Sequence, residues 1–179
     1  MKMQRVLILI SFLLTAHLVN GQVIGETNWE SIQDFSDSQS AIVANILWLE
    51  ANPFSNAEND TKGITQYVLK WLTDAPHISV TLDGIFLEDI TKSKRYRYSD
   101  KFVVTYLFGK AVYIIQNPED KDELNASFRG VSGMVKVYDE IIKQDPKVKN
   151  KRLAYFSKLY KDGRLRDYVA AQLAEQNSL

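Results

Sequence analysis

The sequence predicts an all-α fold, a compact single-domain bundle of about six helices with one short extended segment near residues 78–83. Three observations carry that expectation. Leu124, Phe128, Val131, Val135, Tyr138 and Ile142 recur in alternating four- and three-residue steps, which aligns them on one helical face. Shorter one-sided patterns repeat along the chain between proline and glycine breaks. The composition, 45% hydrophobic and 25% charged over 179 residues, is that of an ordinary globular protein.

The N-terminal segment, residues 1–21, reads as a signal peptide. Lys2 and Arg5 precede an apolar run from Val6 to Leu14 that only Ser11 interrupts. Val19 and Gly21 occupy the two positions a signal peptidase inspects, so cleavage is expected before Gln22. The run falls well short of the ~20 residues a membrane span requires. Residues 22–179 are then a single exported helical domain, periplasmic or extracellular, with no transmembrane anchor after cleavage. The chain has no cysteine and therefore no disulfides, which fits a bacterial exterior or periplasm better than a eukaryotic secretory route.

Within that domain, Thr27-Asn28-Trp29-Glu30 matches a capping box and predicts a short first helix. Ile42, Val43, Ile46, Leu47 and Leu49 predict a helix over 38–52, and Ile64, Val68, Trp71 and Leu72 another over 61–75. Ile78, Val80 and Leu82 alternate instead, as an extended segment does. Phe102–Ile115 is rich in strand formers with Gly109-Lys110 midway, which admits a hairpin. Its rows Phe102, Tyr106, Tyr113 and Val103, Leu107, Ile114 favour a helix.

Asn117-Pro118-Glu119-Asp120 reads as a cap, a first-turn proline and dipole-facing acids, so the next helix is expected over 118–144. Gly130 and Gly133 inside it are expected to admit a neighbouring helix. Asp145-Pro146 repeats the starting signal for a helix over 147–162, Gly163 is placed to end it, and a last helix covers 164–175. Tyr138, Ile141 and Pro146 match the second helix of a tetratricopeptide repeat, but no second copy occurs 34 residues earlier.

The C-terminal half, with its glycine-containing helix, Val137-Tyr138 pair and closing Gly163-Arg164-Leu165-x-x-Tyr168-Val169, resembles small secreted helical proteins of Bacteroidetes bacteria. The resemblance spans roughly residues 100–170. It implies secretion and a helical fold, and it carries over no functional residue.

Several chemistries lack their residues. His17 belongs to the signal segment, leaving His77 as the one imidazole of the exported domain, so metal sites built on two or three histidines are excluded. No G-x-S-x-G elbow and no glycine-rich phosphate loop occur, and no cofactor is expected. Glu88-Asp89 and the run Glu119, Asp120, Asp122, Glu123 are the carboxylates a hydrolase would need. The run also suits a helix start.

The most distinctive segment is Thr91–Lys101, which sets Lys92, Lys94, Arg95, Arg97 and Lys101 around Tyr96 and Tyr98 against one acid, Asp100. Formal neutrality conceals a polarised chain. Residues 22–90 hold 2 basic and 11 acidic side chains, whereas residues 143–179 hold 9 and 4. The expected function is non-enzymatic binding of an anionic glycan or an envelope protein. The expected surface is Lys92, Lys94, Arg95, Tyr96, Arg97 and Tyr98 with Lys147, Lys149, Lys151 and Arg152, where guanidinium groups hold anions and tyrosines supply contact. Nucleic acid is disfavoured in an exported chain that is not basic overall. The alternative is a carboxylate-dependent hydrolase acting on envelope or extracellular glycans.

Overall fold

A computed structural model describes residues 28–54, 58–92, 96–176 and 178. Among them are seven α-helices and no strand: α1 (Ile32–Ala51), α2 (Glu58–Asp74), α3 (Gly84–Thr91), α4 (Ser99–Gln116), α5 (Glu123–Gln144), α6 (Lys151–Lys161) and α7 (Leu165–Gln176). The expected signal peptide, residues 1–21, lies outside the described residues. No helix among those described is long and apolar enough to cross a membrane.

Local capping chemistry fixes the boundaries, and it corrects three sequence expectations. The first helix does not start at Thr27, because residues 28–30 are irregular. Ser31 caps α1 instead: its hydroxyl accepts from the Asp34 N–H at 3.2 Å, and Asp34 accepts from the Ser31 N–H at 2.8 Å. The short helix and the 38–52 helix are therefore one element.

Asn117 does not open the next helix but closes α4, its N–H donating to the Tyr113 carbonyl at 2.9 Å. Pro118 falls in the following turn, and Asp122 caps α5. Asp145 likewise closes α5 rather than starting α6, which Asn150 caps through its side-chain oxygen. Residues 145–150 are thus an open loop. Gly163, at φ +71°, ends α6 where only glycine is unstrained, and the Arg164 N–H reaches back to the Leu159 carbonyl at 2.8 Å.

The hairpin alternative at 102–115 is replaced by helix α4, which is buried on nearly every side. Phe102 and Tyr106 join one core with Phe86, Val131, Met134, Ile141, Leu153, Phe156 and Val169. Phe108, Ala111, Val112 and Ile115 join a second core with Ile42, Ile46, Ile64, Val68 and Trp71. A helix apolar all round belongs in an interior, and α4 is shared by both cores.

Glycines set the depth of the α4–α5 crossing. A Cβ on Gly130 would sit 2.7 Å from the Tyr106 ring. Gly133 makes room for a charged pair: its Cβ would sit 2.7 Å from Glu50 Oε1, which Arg129 Nη1 holds at 2.7 Å. Both glycines therefore admit a neighbouring helix, α4 in one case and α1 in the other.

Candidate functional site

The open loop between α5 and α6 faces the turn before α4, and a cleft of about 800 Å³ lies between them. Tyr96 and Arg97 reach it from the turn, Lys147 and Lys149 from the loop, and Lys151 and Arg152 from the first turn of α6. Two segments some fifty residues apart in sequence thus share one concave surface. Arg97 Nη2 bridges them at the surface, donating to Asp145 Oδ2 at 2.8 Å and to the Tyr98 hydroxyl at 2.6 Å.

Arg152 is the most constrained cation of the cleft. Its guanidinium lies over the rings of Phe156 at 4.9 Å and Tyr168 at 5.6 Å, and Nη2 donates to the Ile85 carbonyl at 3.2 Å. Its Nε is buried and makes no hydrogen bond to a described residue, with Asp89 Oδ2 3.7 Å away. Stacking fixes the plane of the group, so its remaining hydrogen-bonding edge is set before any ligand arrives.

Tyr96 forms the floor. Its ring stacks on Phe102 at 6.0 Å, and its buried hydroxyl makes no hydrogen bond to a described residue. Burial drives its pKa far above that of an ordinary tyrosine, with the neighbouring Tyr138 and Tyr98 adding to the shift. It stays neutral at physiological pH.

The remaining expected residues fall elsewhere. Tyr98 turns to a second groove of about 940 Å³, where its ring meets Phe54 edge-on at 5.8 Å. Lys92 is exposed and pairs with Glu88 at 2.5 Å, one turn back on α3. Lys94 and Arg95 lie outside the described residues. Asp89 and Tyr155 line the cleft, although the sequence reading placed neither there. Asp89 belongs to α3, an element too short to announce itself, and Tyr155 faces away from the apolar stripe that defines α6.

Asp120, Asp122 and Glu123, three of the carboxylates considered for hydrolysis, have other partners. Asp120 accepts from the Tyr113 hydroxyl, which with the Asp122 N–H holds its carboxyl below the usual range. Asp122 caps α5. Glu123, half exposed, joins a part-buried network around Lys110 of α4. There Lys110 Nζ, wholly buried, binds Glu123, Asp83 Oδ2 at 2.7 Å and Thr81 Oγ1 at 3.1 Å. Burial opposes the Asp83 charge, but hydrogen bonds from Lys110, Tyr106 and Ser127 outweigh it and leave the pKa below the ordinary carboxylate value. Among the described residues no group of three or more His, Cys, Asp or Glu could hold a metal ion.

Comparison with protein-family models, with curated proteins and with solved structures gives no match to this chain.

Proposed function

We propose that this chain is an exported, non-enzymatic bacterial binding protein that holds an anionic partner in the basic cleft between the α5–α6 loop and the turn before α4. One observation carries the reading. Arg97, Lys147, Lys149, Lys151 and Arg152 come from two distant segments and converge on the same concavity. Four of these cations adjoin in sequence and the fold brings Arg97 to them, so that cations outnumber the single acid, Asp89, and the cleft concentrates counter-ions. The signal-like residues 1–21 support export, and the absence of cysteine fits it.

The mechanism is attraction followed by fixed recognition. The exposed lysines draw the partner in over a range set by the Debye length, about 8 Å at physiological salt. Arg152, already oriented by its aromatic neighbours, then supplies directional hydrogen bonds.

The test is a crosslinked pull-down of tagged protein from native envelope and medium, with Arg97→Glu, Lys149→Glu run in parallel. Both positions are exposed, so the variant is expected to fold. A partner retained by wild type and lost by the variant supports the cleft. Equal recovery by both forms overturns it.

A further inference from the structure

Resting on the cleft reading above, we propose that the ligand is an acidic saccharide whose sugar units each carry one negative charge, a carboxylate or a sulfate. Three features of the cleft separate this class from other anions.

The first is Asp89. Its carboxylate stands among five cations, 3.7 Å from Arg152 Nε and largely exposed to the cleft. A chain with a densely packed charge on every unit, such as polyphosphate, is repelled by an acid at that point. A sugar meets it with hydroxyl donors, which a carboxylate accepts in charge-assisted hydrogen bonds. A cleft lined by cations with one well-placed acceptor matches a ligand that has both acid and alcohol groups.

The second is Tyr155. It is 44% exposed at the edge of the cleft, and an edge-on contact with Tyr168 at 5.5 Å and 87° holds its ring in place. The electron-rich face of an aromatic ring attracts the weakly positive C–H bonds of a sugar ring. Free phosphates and short acidic peptides gain little from such a platform.

The third is shape. A concavity of about 800 Å³ falls in the range of sites for small and oligomeric ligands. A folded protein partner would instead need a broad surface of about 800 Å² per side.

The test uses protein expressed from the complete reading frame and four probes in calorimetric titrations: tetragalacturonate, its neutral methyl ester, a sulfated neutral-backbone tetrasaccharide, and inorganic tetraphosphate. Wild type is expected to bind at least one acidic sugar about tenfold more tightly than both the methyl ester and tetraphosphate. The two charged sugars tell carboxylate from sulfate. Asp89→Asn is expected to weaken the bound sugar about tenfold while strengthening tetraphosphate, and Tyr155→Ala to weaken the sugar about fivefold and leave tetraphosphate unchanged. Both side chains are exposed, so circular dichroism should show an unaltered fold. Tetraphosphate binding that matches or exceeds both sugars, or sugar binding indifferent to both variants, overturns the saccharide assignment while leaving the cleft as an anion site. Failure of the wild type to bind any charged probe overturns the assignment and the cleft reading together.

Discussion

Gly109 and Gly130 meet backbone to backbone where α4 crosses α5: a Cβ on Gly109 would lie 2.8 Å from the Gly130 Cα and 2.9 Å from the Arg129 carbonyl oxygen. Backbone cannot rotate aside as a side chain can. Gly109→Ala is therefore expected to destabilise the fold by about 1–3 kcal/mol despite alanine's better helix propensity. Thermal unfolding should show a midpoint lowered by several degrees. Gly84→Ala is the control, since nothing lies within 4 Å of its added carbon, and its midpoint should be unchanged or slightly raised. Equal behaviour of the two variants would refute the crossing.

Lys110 is wholly buried against Asp83 and Glu123, so removing its charge strands the Asp83 carboxylate, which is only 12% exposed. Lys110→Met should cost about 3–5 kcal/mol in urea unfolding. Adding Asp83→Asn to it should cost less than the two single changes summed, because the second substitution removes the stranded charge. Additive losses would show that the residues do not act as a pair.

Acid should weaken the fold through the same network. The folded Asp83 pKa lies below the unfolded value of about 3.9, so the unfolded chain takes up its proton first. The stabilisation is complete above that value and is lost as pH falls through the lower, folded pKa. Urea midpoints measured from pH 6 to pH 2 should drop more steeply for wild type than for Asp83→Asn. Parallel curves would rule out this source of acid sensitivity.

Two buried tyrosines should respond differently to loss of the hydroxyl. Tyr106 donates to Asp83, whereas the Tyr96 hydroxyl has no hydrogen-bond partner among the described residues. Tyr106→Phe is expected to cost about 1–2 kcal/mol, and Tyr96→Phe to be neutral or slightly stabilising. Burial raises the pKa of both, so each disfavours the folded state once the unfolded tyrosine ionises near pH 10. Alkaline unfolding of Tyr96→Phe should accordingly begin at a higher pH than that of wild type.

Arg97 separates binding from stability. Its side chain is 60% exposed and pairs with a half-buried Asp145, so Arg97→Ala should change unfolding free energy by less than about 1 kcal/mol. Its effect on partner capture should be large, and stronger at low salt than at high salt. A variant that unfolds early would place Arg97 in the scaffold rather than in recognition.

Much of this architecture was legible in the residues. The stripe from Leu124 to Ile142 marked α5, and its interior glycines marked a close approach by neighbouring helices. Helix α4 was harder, because a segment buried on every side has no polar face to reveal its period, and Phe102–Ile115 could be read as strand until its rows were compared. The boundaries misled for a physical reason. Asn and Asp followed by proline serve equally well to close one helix or to open another, and at Asn117 and Asp145 they close. Lys110 looked like a break in an apolar run, since nothing local shows that Asp83 and Glu123 come to meet it. The basic residues of the cleft were visible as two charge clusters. They were expected to form one surface, but nothing local shows that they meet, because the meeting depends on the path of the chain through α4 and α5.

The sharing of α4 between two cores also dictates when the chain can settle during synthesis. The N-terminal helices emerge first, and their inward residues Ile42, Ile46, Ile64, Val68 and Trp71 have no lid until Phe108, Ala111, Val112 and Ile115 arrive. The opposite face of α4 then waits in turn for Leu153, Phe156 and Val169 near the C-terminus. A nascent chain stalled before residue 116 therefore presents bare, greasy helix faces to chaperones and proteases, and a premature stop anywhere before α7 leaves an incomplete protein rather than a smaller working one.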